Sequence, residues 1–566
     1  MSLERDLALH RRLEAELVAP GAPFETRAEP VLGVEMSVFR ERLPSLRAFL
    51  DQSAAFGDRE YIVCEDRRIS FAEHRRQVAD LAAALHERFG VGPGDRVAIL
   101  AANGPEWIVS WWAAVSLGAV AVAFNGWWVA DEILYALEDS EPTVLIGDAR
   151  RLARIAGHPV RVPVVEMETD FEPLLRRGAG ATAPEPPLRE DDPACILYTS
   201  GTTGRPKGAV NTHRNIVALN RLHTYHGLRL LKIAMAKSAG GAPPPPANCT
   251  LVSAPLFHLS GLYTGAVTLL ASGVKTVWTR GRFDPVRVME LIEQEKVTSW
   301  GPLGTMAHRV LHHPDLGRYD LSSIRQVGSG GAPIPVDLLD RMREAFPNAR
   351  AQIGLGYGLT EATGMATINF GSELEARPDS VGRILPTFDA EIRDPDGKPL
   401  SEGAEGEIHL RGPLVMRDYW RRPDATAETI LPGRWLRTGD WGRLEDGFLY
   451  VNSRKRDLIL RGGENVYPAE IEHRLETHPG VLEAAVIGVD HPELGQEVKA
   501  VVVPRPGSAA PLDPEALGLF VAERLAYFKV PAHWEVRETP LPRNATGKVL
   551  KHLLENTGRE TPFVEE

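Results

Sequence analysis

The stretch RVAILAANGPEWIVSWWAAVSLGAVAVAFN, residues 96–125, determines the class of fold. It begins with an apolar run typical of a buried strand (96–101), continues with a helical pattern (106–117) and ends with a second strand-like run (119–125). A further helix-like segment, DEILYALEDS, and a further strand-like segment, PTVLIGD, follow directly. This alternation predicts an α/β fold with doubly wound parallel sheets covered by helices on both faces. Such sheets bind ligands beyond the carboxyl ends of their strands.

The pattern of predicted secondary structure changes twice in the rest of the chain. From residue 391 the short alternating runs AEIRDPDG, GEIHLRGP and GFLYVNS, broken by Gly and Pro, predict antiparallel hairpins and so a β-rich subdomain. From Arg456 onwards, mixed helix-like and strand-like segments predict a small α+β domain of ordinary size. We therefore expect a large N-terminal domain, residues 1–455, and a C-terminal domain, residues 456–566.

The composition is that of an acidic globular protein. The 566 residues include 64 Lys and Arg against 76 Asp and Glu, which gives a formal charge of −12. Without a net basic field, nucleic acid is not expected as a partner. The three cysteines lie far apart, so they predict neither a disulfide framework nor a zinc cluster, and they fit a reducing compartment.

The N-terminal segment and the apolar stretches predict a cytoplasmic protein. MSLERDLALHRRLEAEL carries charges throughout, so no signal peptide is expected. Residues 107–130 and 250–274 have no charged residue and are long enough to cross a bilayer as single helices. Gly118 interrupts the first stretch and Pro255 the second, which favours strands and helices of a soluble fold. Peripheral membrane contact and oligomerisation both stay open.

YTSGTTGRPKGAV, residues 198–210, carries the strongest chemical signal. The strand-like CILYTS places this loop at the carboxyl end of a strand. Glycine N–H groups can approach an anion closely, while hydroxyl groups add donors and a lysine adds positive charge. The Walker spacing GxxxxGK[ST] is absent, which disfavours a P-loop NTPase. The loop predicts a polyphosphate site formed by Thr199, Ser200, Gly201, Thr202, Thr203, Gly204 and Lys207.

TSGTTGRPKG resembles the signature of the adenylate-forming superfamily, which includes acyl-CoA synthetases, luciferases and the adenylation domains of peptide synthetases. Further stretches match that superfamily in its order: VGSGGAPIP, GYGLTEATG, WLRTGD, SRKRDLILRGGENVYPAEIE and PRNATGK. The resemblance implies an AMP-forming acid–thiol ligase that uses ATP, Mg²⁺ and coenzyme A (CoA). A carboxylate attacks the α-phosphate of ATP to give acyl-adenylate and pyrophosphate, and a thiol, usually that of CoA, then takes the acyl group.

The same resemblance implies roles for residues at the nucleotide. Glu361 resembles the magnesium ligand and Thr360 a contact to the α-phosphate, in keeping with the preference of Mg²⁺ for phosphate and carboxylate oxygens. Tyr357 resembles the aromatic residue that stacks on adenine. Asp440 resembles the acid that accepts hydrogen bonds from both ribose hydroxyls, and Arg454 a second ribose or phosphate contact. The backbone along the other side of the adenine is expected from Gly330, Gly331 and Ala332.

The resemblance also implies that the C-terminal domain is mobile and serves both half-reactions. Lys548 resembles the lysine that reaches the α-phosphate and the substrate carboxylate during adenylation. Gly462 and Gly463 resemble the loop beside which the thiol enters, where a narrow tunnel requires residues without side chains. Arg456 occupies the position of the hinge.

The acid is predicted to be apolar. His258, in APLFHLSG, resembles a histidine that lines and gates the acyl tunnel. Residues 250–274 contain no acidic side chain to pair with a substrate ammonium, and a buried unpaired ammonium is costly, which disfavours amino acids. We expect a medium- or long-chain fatty acid, with an aryl acid as the alternative. Candidate pocket residues are Trp300, Gly301, Gly354, Leu355, Gly356 and Thr363.

Two other readings of the sequence differ in the acceptor or in the class of protein. The acyl group could pass to a carrier protein in trans, because the chain shows no carrier segment of its own. A catalytically silent binding protein would have lost catalytic positions, which disfavours this reading because Glu361, Asp440, Arg454 and Lys548 are all present.

Overall fold

The computed structural model describes residues 3–199, 206–237, 248–302, 304–330, 336–454, 457, 459–461, 464–491, 494–506, 511–525, 527–543 and 549–555. The first part of the chain, to residue 199, alternates helices and strands as the opening stretch predicts. Its elements are α1 (Leu3–Val18), β1 (Thr26–Val31), β2 (Val34–Phe39), α2 (Leu46–Gln52), β3 (Glu60–Cys64), β4 (Arg67–Ser70), α3 (Phe71–Phe89), β5 (Arg96–Leu100), α4 (Pro105–Ser116), β6 (Val120–Ala123), α5 (Ala130–Ser140), β7 (Val144–Gly147), α6 (Ala149–Leu152), β8 (Val164–Glu166), α7 (Phe171–Gly178) and β9 (Pro193–Thr199).

The middle part, residues 206–454, starts with helices and strands in alternation and ends in strands. Its elements are β10 (Lys207–Thr212), α8 (His213–Lys237), β11 (Cys249–Val252), a π-helix (Ser260–Thr268), α9 (Leu269–Ala271), β12 (Lys275–Trp278), α10 (Pro285–Glu295), β13 (Ser299–Trp300), α11 (Gly304–Leu311), β14 (Gln326–Gly330), α12 (Val336–Ala345), β15 (Ile353–Leu359), β16 (Gly364–Phe370), α13 (Gly371–Ala376), β17 (Gly382–Ile384), β18 (Asp389–Arg393), β19 (Gly406–Arg411), β20 (Asp418–Tyr419), α14 (Pro423–Thr429), β21 (Ile430–Leu431), β22 (Trp435–Glu445) and β23 (Phe448–Arg454).

The last part mixes strands and helices. Its elements are β24 (Ile459–Arg461), β25 (Glu464–Val466), α15 (Pro468–Glu476), β26 (Val481–His491), β27 (Gly495–Pro504), α16 (Pro514–Ala522), β28 (His533–Val536) and α17 (His552–Glu555). The strands form a five-stranded sheet in which β28 pairs with β27. This agrees with an α+β unit, whereas the predicted boundary at residue 455 lies outside the described residues.

Two large sheets build the N-terminal part. One has seven strands in the order β20-β10-β9-β6-β5-β7-β8, with β9, β6, β5, β7 and β8 parallel. The other has fourteen strands, in which β15, β14, β13, β11, β12 and β3 are parallel, while β16 to β19 and β21 to β23 join as antiparallel neighbours. The predicted α/β class with a β-rich subdomain is confirmed, and the β-rich strands continue one of the parallel sheets.

Burial explains why residues 107–130 are uncharged. Trp107, Trp111 and Trp112 on α4 are fully buried, and β6 is buried along its whole length. Gly118 separates helix from strand in the left-handed conformation, with φ of +73°, which favours glycine. No helix in the described parts of the chain combines the length and apolarity needed to cross a bilayer.

Candidate functional site

The loop that carries the polyphosphate signature connects two paired strands. Lys207, the first residue of β10, is the register partner of Thr199, the last residue of β9. The Thr199 hydroxyl donates a hydrogen bond to the Lys207 carbonyl at 3.4 Å. The strand predicted before the loop is therefore confirmed, while Ser200, Gly201, Thr202, Thr203 and Gly204 lie outside the described residues. The predicted phosphate contacts of the loop stay predictions.

A tight turn between β15 and β16 presents Thr360 and Glu361. Gly358 precedes this turn, where a Cβ would lie 1.7 Å from the Gly364 carbonyl oxygen, so only glycine fits. Thr363 closes the turn with φ of +56°, and its hydroxyl donates to the Leu414 carbonyl at 2.6 Å. The turn is thus fixed against a neighbouring segment before any ligand binds.

Buried polar side chains hold the turn from the other side. Asn211 Nδ2 donates to Thr363 Oγ1 at 2.8 Å, and the Tyr263 hydroxyl donates to Asn211 Oδ1 at the same distance. All three residues are buried. The turn is therefore tied both to β10, which follows the phosphate loop, and to the π-helix.

Tyr419 joins the predicted metal ligand to the predicted phosphate lysine. Its hydroxyl donates to Glu361 Oε1 at 2.7 Å, and Nζ of Lys207 lies 5.3 Å from the centre of its ring. Burial and the nearby Glu361 carboxylate raise the pKa of Tyr419, which keeps the hydroxyl protonated as a donor. Sequence reasoning missed this residue, because β20 has only two residues and shows no periodic pattern.

Tyr357 and Asp440, separated by more than eighty positions in sequence, meet in space. The Tyr357 hydroxyl donates to Asp440 Oδ2 at 2.7 Å, and Asp440 is 5% exposed. Asp440 in β22 is also the register partner of Arg454 in β23, whose side chain lies outside the described set. Two predicted nucleotide residues are thus in contact, and the backbone of the third is beside them.

His258 lies where the chain enters the π-helix. Its Nδ1 is 2.8 Å from the Ser260 hydroxyl, and burial lowers the pKa of His258 to about 4. The imidazole is therefore uncharged at neutral pH, which suits a wall residue and does not suit a permanent cation. Its predicted contact with the acyl group stays a prediction.

Three of the predicted pocket residues are buried in this structure. Trp300 and Thr363 have no exposed surface, and Gly354 is buried as well. The Trp300 indole donates to the Ser253 hydroxyl at 3.2 Å and its ring packs edge-on against Phe346. The predicted contacts of these three residues with the acid stay predictions. Gly301, Leu355 and Gly356 keep accessible surface.

The described residues offer no preformed metal cluster and leave several predicted residues unplaced. Within the described ranges, no group of three or more His, Cys, Asp and Glu side chains could hold a metal ion. Glu361 stays the carboxylate predicted for Mg²⁺, and this ion commonly takes most of its other ligands from substrate phosphates and water. Gly330 ends β14. Outside the described residues lie Gly331, Ala332, Arg456, Gly462, Gly463 and Lys548.

Comparison with known proteins finds relatives that match nearly the whole chain, in agreement with the resemblance of the sequence motifs. A family model described as AMP-binding enzyme matches residues 49–420, and one described as AMP-binding enzyme C-terminal domain matches residues 470–548. Feruloyl-CoA synthase of Amycolatopsis sp is 38% identical over 492 residues, which cover 85% of this chain and 92% of that protein. A long-chain-fatty-acid–CoA ligase of Mycobacterium tuberculosis is 32% identical, covering 90% of this chain and 95% of that protein. The solved structure of o-succinylbenzoate CoA synthetase of Bacillus subtilis, in complex with its acyl-adenylate intermediate, matches with a TM-score of 0.75 and 30% identity, over 92% of this chain and 99% of that one.

Proposed function

The chain belongs to the AMP-binding enzyme family, and from that premise we propose that it converts an apolar carboxylic acid into its CoA thioester at the expense of ATP. The predicted enzyme class, an AMP-forming acid–thiol ligase that depends on ATP, Mg²⁺ and CoA, is confirmed by the family matches. One observation supports the proposed site above all: Tyr419 contacts both Glu361 and Lys207. The hydrogen bond between Tyr357 and Asp440 adds to it.

The first half-reaction forms the acyl-adenylate. A carboxylate oxygen of the acid attacks the α-phosphorus of ATP, the new P–O bond forms, and the bond to the pyrophosphate oxygen breaks. Because the carboxylate and the triphosphate repel each other, catalysis requires neutralisation of charge and in-line placement. Mg²⁺ on the phosphates supplies part of that neutralisation. We assign its protein ligand to Glu361, the α-phosphate contact to Thr360, and phosphate contacts to Lys207 and the loop before it.

The second half-reaction transfers the acyl group. The sulfur of the CoA thiol attacks the acyl carbonyl carbon, the C–S bond forms, and the C–O bond to AMP breaks as the thiol proton is lost. We assign passage of the thiol to the loop of Gly462 and Gly463. Lys548 is assigned to the first half-reaction, in which negative charge builds up at the α-phosphorus.

The nucleoside is held by the β-rich strands in this proposal. Tyr357 packs against adenine, and Asp440 accepts hydrogen bonds from the ribose hydroxyls. The carboxylate of Asp440 has one oxygen bonded to Tyr357, and a carboxylate can accept several further bonds. Tyr357 therefore orients the Asp440 carboxylate that binds the ribose, and its ring forms a surface for adenine. Arg454 is assigned a further contact to the ribose or a phosphate.

The proposal also names the chemical class of the acid substrate. The uncharged stretch 250–274 and the neutral His258 support an apolar acid, and the sequence favours a medium- or long-chain fatty acid. An aryl acid is the second candidate, and the similarity of this chain to feruloyl-CoA synthase favours it. Relatives of both kinds are similar to this chain.

A panel of acids tests the proposal. We expect CoA-dependent AMP formation with apolar acids and little with amino acids or short dicarboxylates, whose second charge would lack a partner. For a fatty acid, each methylene removed from water contributes about 0.8 kcal/mol, so kcat/KM should rise several-fold per CH₂ until the pocket ends. A flat response from acetate to dodecanoate, with strong activity on aryl acids, would overturn the fatty-acid choice and leave the ligase. AMP formation that ignores CoA but requires a carrier protein would overturn CoA as acceptor.

Tyr419→Phe is expected to raise the Mg²⁺ concentration that gives half-maximal pyrophosphate exchange by about tenfold, because a hydrogen bond to a charged group is lost. The change removes only the hydroxyl that fixes Glu361 and leaves the ring beside Lys207. Tyr450→Phe is the matched control, since it also removes a tyrosine hydroxyl, one that accepts a hydrogen bond from Arg377 and not one that donates to Glu361. An unchanged Mg²⁺ dependence in Tyr419→Phe would show that this contact does not position the metal ligand.

A further inference from the structure

One side of α5 contacts the chain on both sides of the proposed phosphate loop. Residues 200–205 of this loop lie outside the described residues, but the positions that flank them are described. Tyr198 comes before the loop, and its hydroxyl donates a hydrogen bond to Asp139 Oδ2 at 2.8 Å. Pro206 comes after it, and its carbonyl accepts a hydrogen bond from the Tyr135 hydroxyl at 3.2 Å. Tyr135 and Asp139 are four residues apart on α5 and therefore lie on the same side of the helix.

The same side of α5 contacts the segment that carries Tyr419, the residue bonded to the predicted magnesium ligand. Nη2 of Arg422 donates to Asp139 Oδ1 at 2.7 Å and to the Tyr135 hydroxyl oxygen at 2.9 Å. The Trp420 indole donates to the Asp139 carbonyl at 3.0 Å. Tyr135 and Asp139 thus connect both ends of the phosphate loop to the segment that fixes the metal ligand.

Backbone hydrogen bonds join that segment directly to the strand that follows the loop. The Trp420 N–H donates to the Gly208 carbonyl at 2.7 Å, and the Arg417 N–H donates to the Val210 carbonyl at 2.8 Å. A Cβ on Gly208 would lie 2.7 Å from Ile196 and 3.5 Å from the Trp420 side chain, so a larger residue would have to displace its neighbours. Because β20, β10 and β9 are adjacent strands of one sheet, the contacts of α5 act on a continuous piece of structure.

Asp139 occupies a position that is unfavourable for an acidic side chain in an isolated helix. It is the next-to-last residue of α5, where the negative end of the helix dipole disfavours a carboxylate. Its side chain is 5% exposed, and a buried carboxylate requires partners. Its two oxygens find them in Tyr198 and Arg422. Helix stability does not explain an acid here, whereas the contacts to the two segments beside the phosphate loop do.

We propose that Tyr135 and Asp139 are positioning residues for the phosphates of ATP, because they hold both ends of the phosphate loop in place. The inference rests on the proposed function, which assigns this loop to the phosphates. Neither residue lies in the stretches that resemble the superfamily signature, and each acts through the loop and not by touching the nucleotide. A loop whose ends are fixed has fewer conformations to lose when it binds a ligand, which favours binding.

The test compares the binding of ATP with that of AMP. The two nucleotides share adenine, ribose and the α-phosphate, and only ATP carries the further phosphates that the loop is proposed to bind. Tyr135→Phe removes one hydroxyl and keeps the ring. We expect this variant to raise the Kd for ATP with Mg²⁺ by about tenfold and to leave the Kd for AMP unchanged. Isothermal titration calorimetry without the acid substrate measures both constants in the absence of turnover.

Asp139→Asn is the second variant, and Tyr61→Phe is the matched control. Asp139→Asn removes the charge that pairs with Arg422, so it should raise the Kd for ATP relative to AMP at least as strongly as Tyr135→Phe. Tyr61→Phe also removes a tyrosine hydroxyl that donates to a backbone carbonyl, that of Ala266 at 2.9 Å, on the other large sheet. Its ratio of the two Kd values should equal that of the wild type.

The outcomes separate this inference from the proposed function. An unchanged Kd for ATP in Tyr135→Phe overturns the inference, and so does an equal loss of affinity for ATP and AMP, which would indicate a general effect on the fold. Equal affinity of the wild type for the two nucleotides also overturns it. Normal ATP binding with no AMP formation from any acid overturns the proposed function and not the role of these residues. If Asp139→Asn fails to fold, Tyr135→Phe decides, because it conserves the shape of the side chain.

Discussion

Lys548→Ala is expected to slow acid-dependent ATP–pyrophosphate exchange on the order of 10²–10³-fold, because a cation that stabilises charge only in the transition state is lost. Formation of the thioester from supplied acyl-adenylate should be nearly unchanged, since no charge builds up at phosphorus in that step. The two half-reactions are measured separately, by isotope exchange into ATP and by release of AMP from synthetic acyl-adenylate.

A lysine three residues further along provides the control. Lys551 forms an ion pair with Glu472 at 2.6 Å, so Lys551→Ala removes a lysine of the same unit without touching the proposed site. Because Lys551 pairs with a carboxylate and not with the proposed site, both half-reactions should persist in this variant. Equal loss of both half-reactions in Lys548→Ala would contradict the assignment of Lys548 to adenylation.

Asp440→Ala is expected to raise KM for ATP by about 10²-fold or more, because bonds from two ribose hydroxyls to a carboxylate are lost, and hydrogen bonds to charged groups contribute about 1.5–3 kcal/mol each. The change also leaves the Tyr357 hydroxyl without the acceptor that it has at 2.7 Å. Steady-state kinetics with ATP varied at saturating acid and CoA measure the effect.

Asp389→Ala is the matched control for the loss of an acidic residue. Asp389 pairs with Arg411 at 2.7 Å on the neighbouring strands and is half exposed, so its removal should leave KM for ATP unchanged. If Asp440→Ala lowered kcat with the same KM, Asp440 would act on the reaction and not on the nucleoside.

Local patterns in the sequence were sufficient to predict the order of helices, strands and loops along these stretches. The uncharged stretch around α4 was predicted as helix, glycine and strand, and Gly118 adopts the left-handed conformation that ends the helix. The loop at residues 198–210 was predicted to follow a strand, and β9 ends at Thr199. These features depend on short periodicities and on glycine conformation, which adjacent residues determine.

Contacts between distant segments could not be predicted in the same way. Tyr419 reaches Glu361 across 58 positions, from a strand of two residues that has no periodicity of its own. The buried cluster of His10, Arg229 and Glu373 joins three helices, and in sequence each member looks like an ordinary surface residue. Such pairs arise from tertiary packing.

The predicted pocket residue Trp300 shows the same difficulty. A two-residue strand gives no alternation from which to read its buried face, and Trp300 points into the core beside Phe346. The residues of the acid pocket are therefore the least predictable part of the site. The nucleotide residues could be named because they lie in distinctive strings of sequence, and Tyr357 and Asp440 do meet in the structure.

The measurement that tests the central claim most directly follows the oxygen atoms of the acid. The reaction is run with a carboxylic acid labelled with ¹⁸O in both carboxyl oxygens, in the presence of ATP, Mg²⁺ and CoA, and the products are analysed by mass spectrometry. If the carboxylate attacks the α-phosphorus and the thiol then displaces AMP, one ¹⁸O atom must appear in the phosphate of AMP and none in pyrophosphate. Label in inorganic phosphate together with ADP would indicate an acyl-phosphate intermediate and would contradict the account, as would AMP without label.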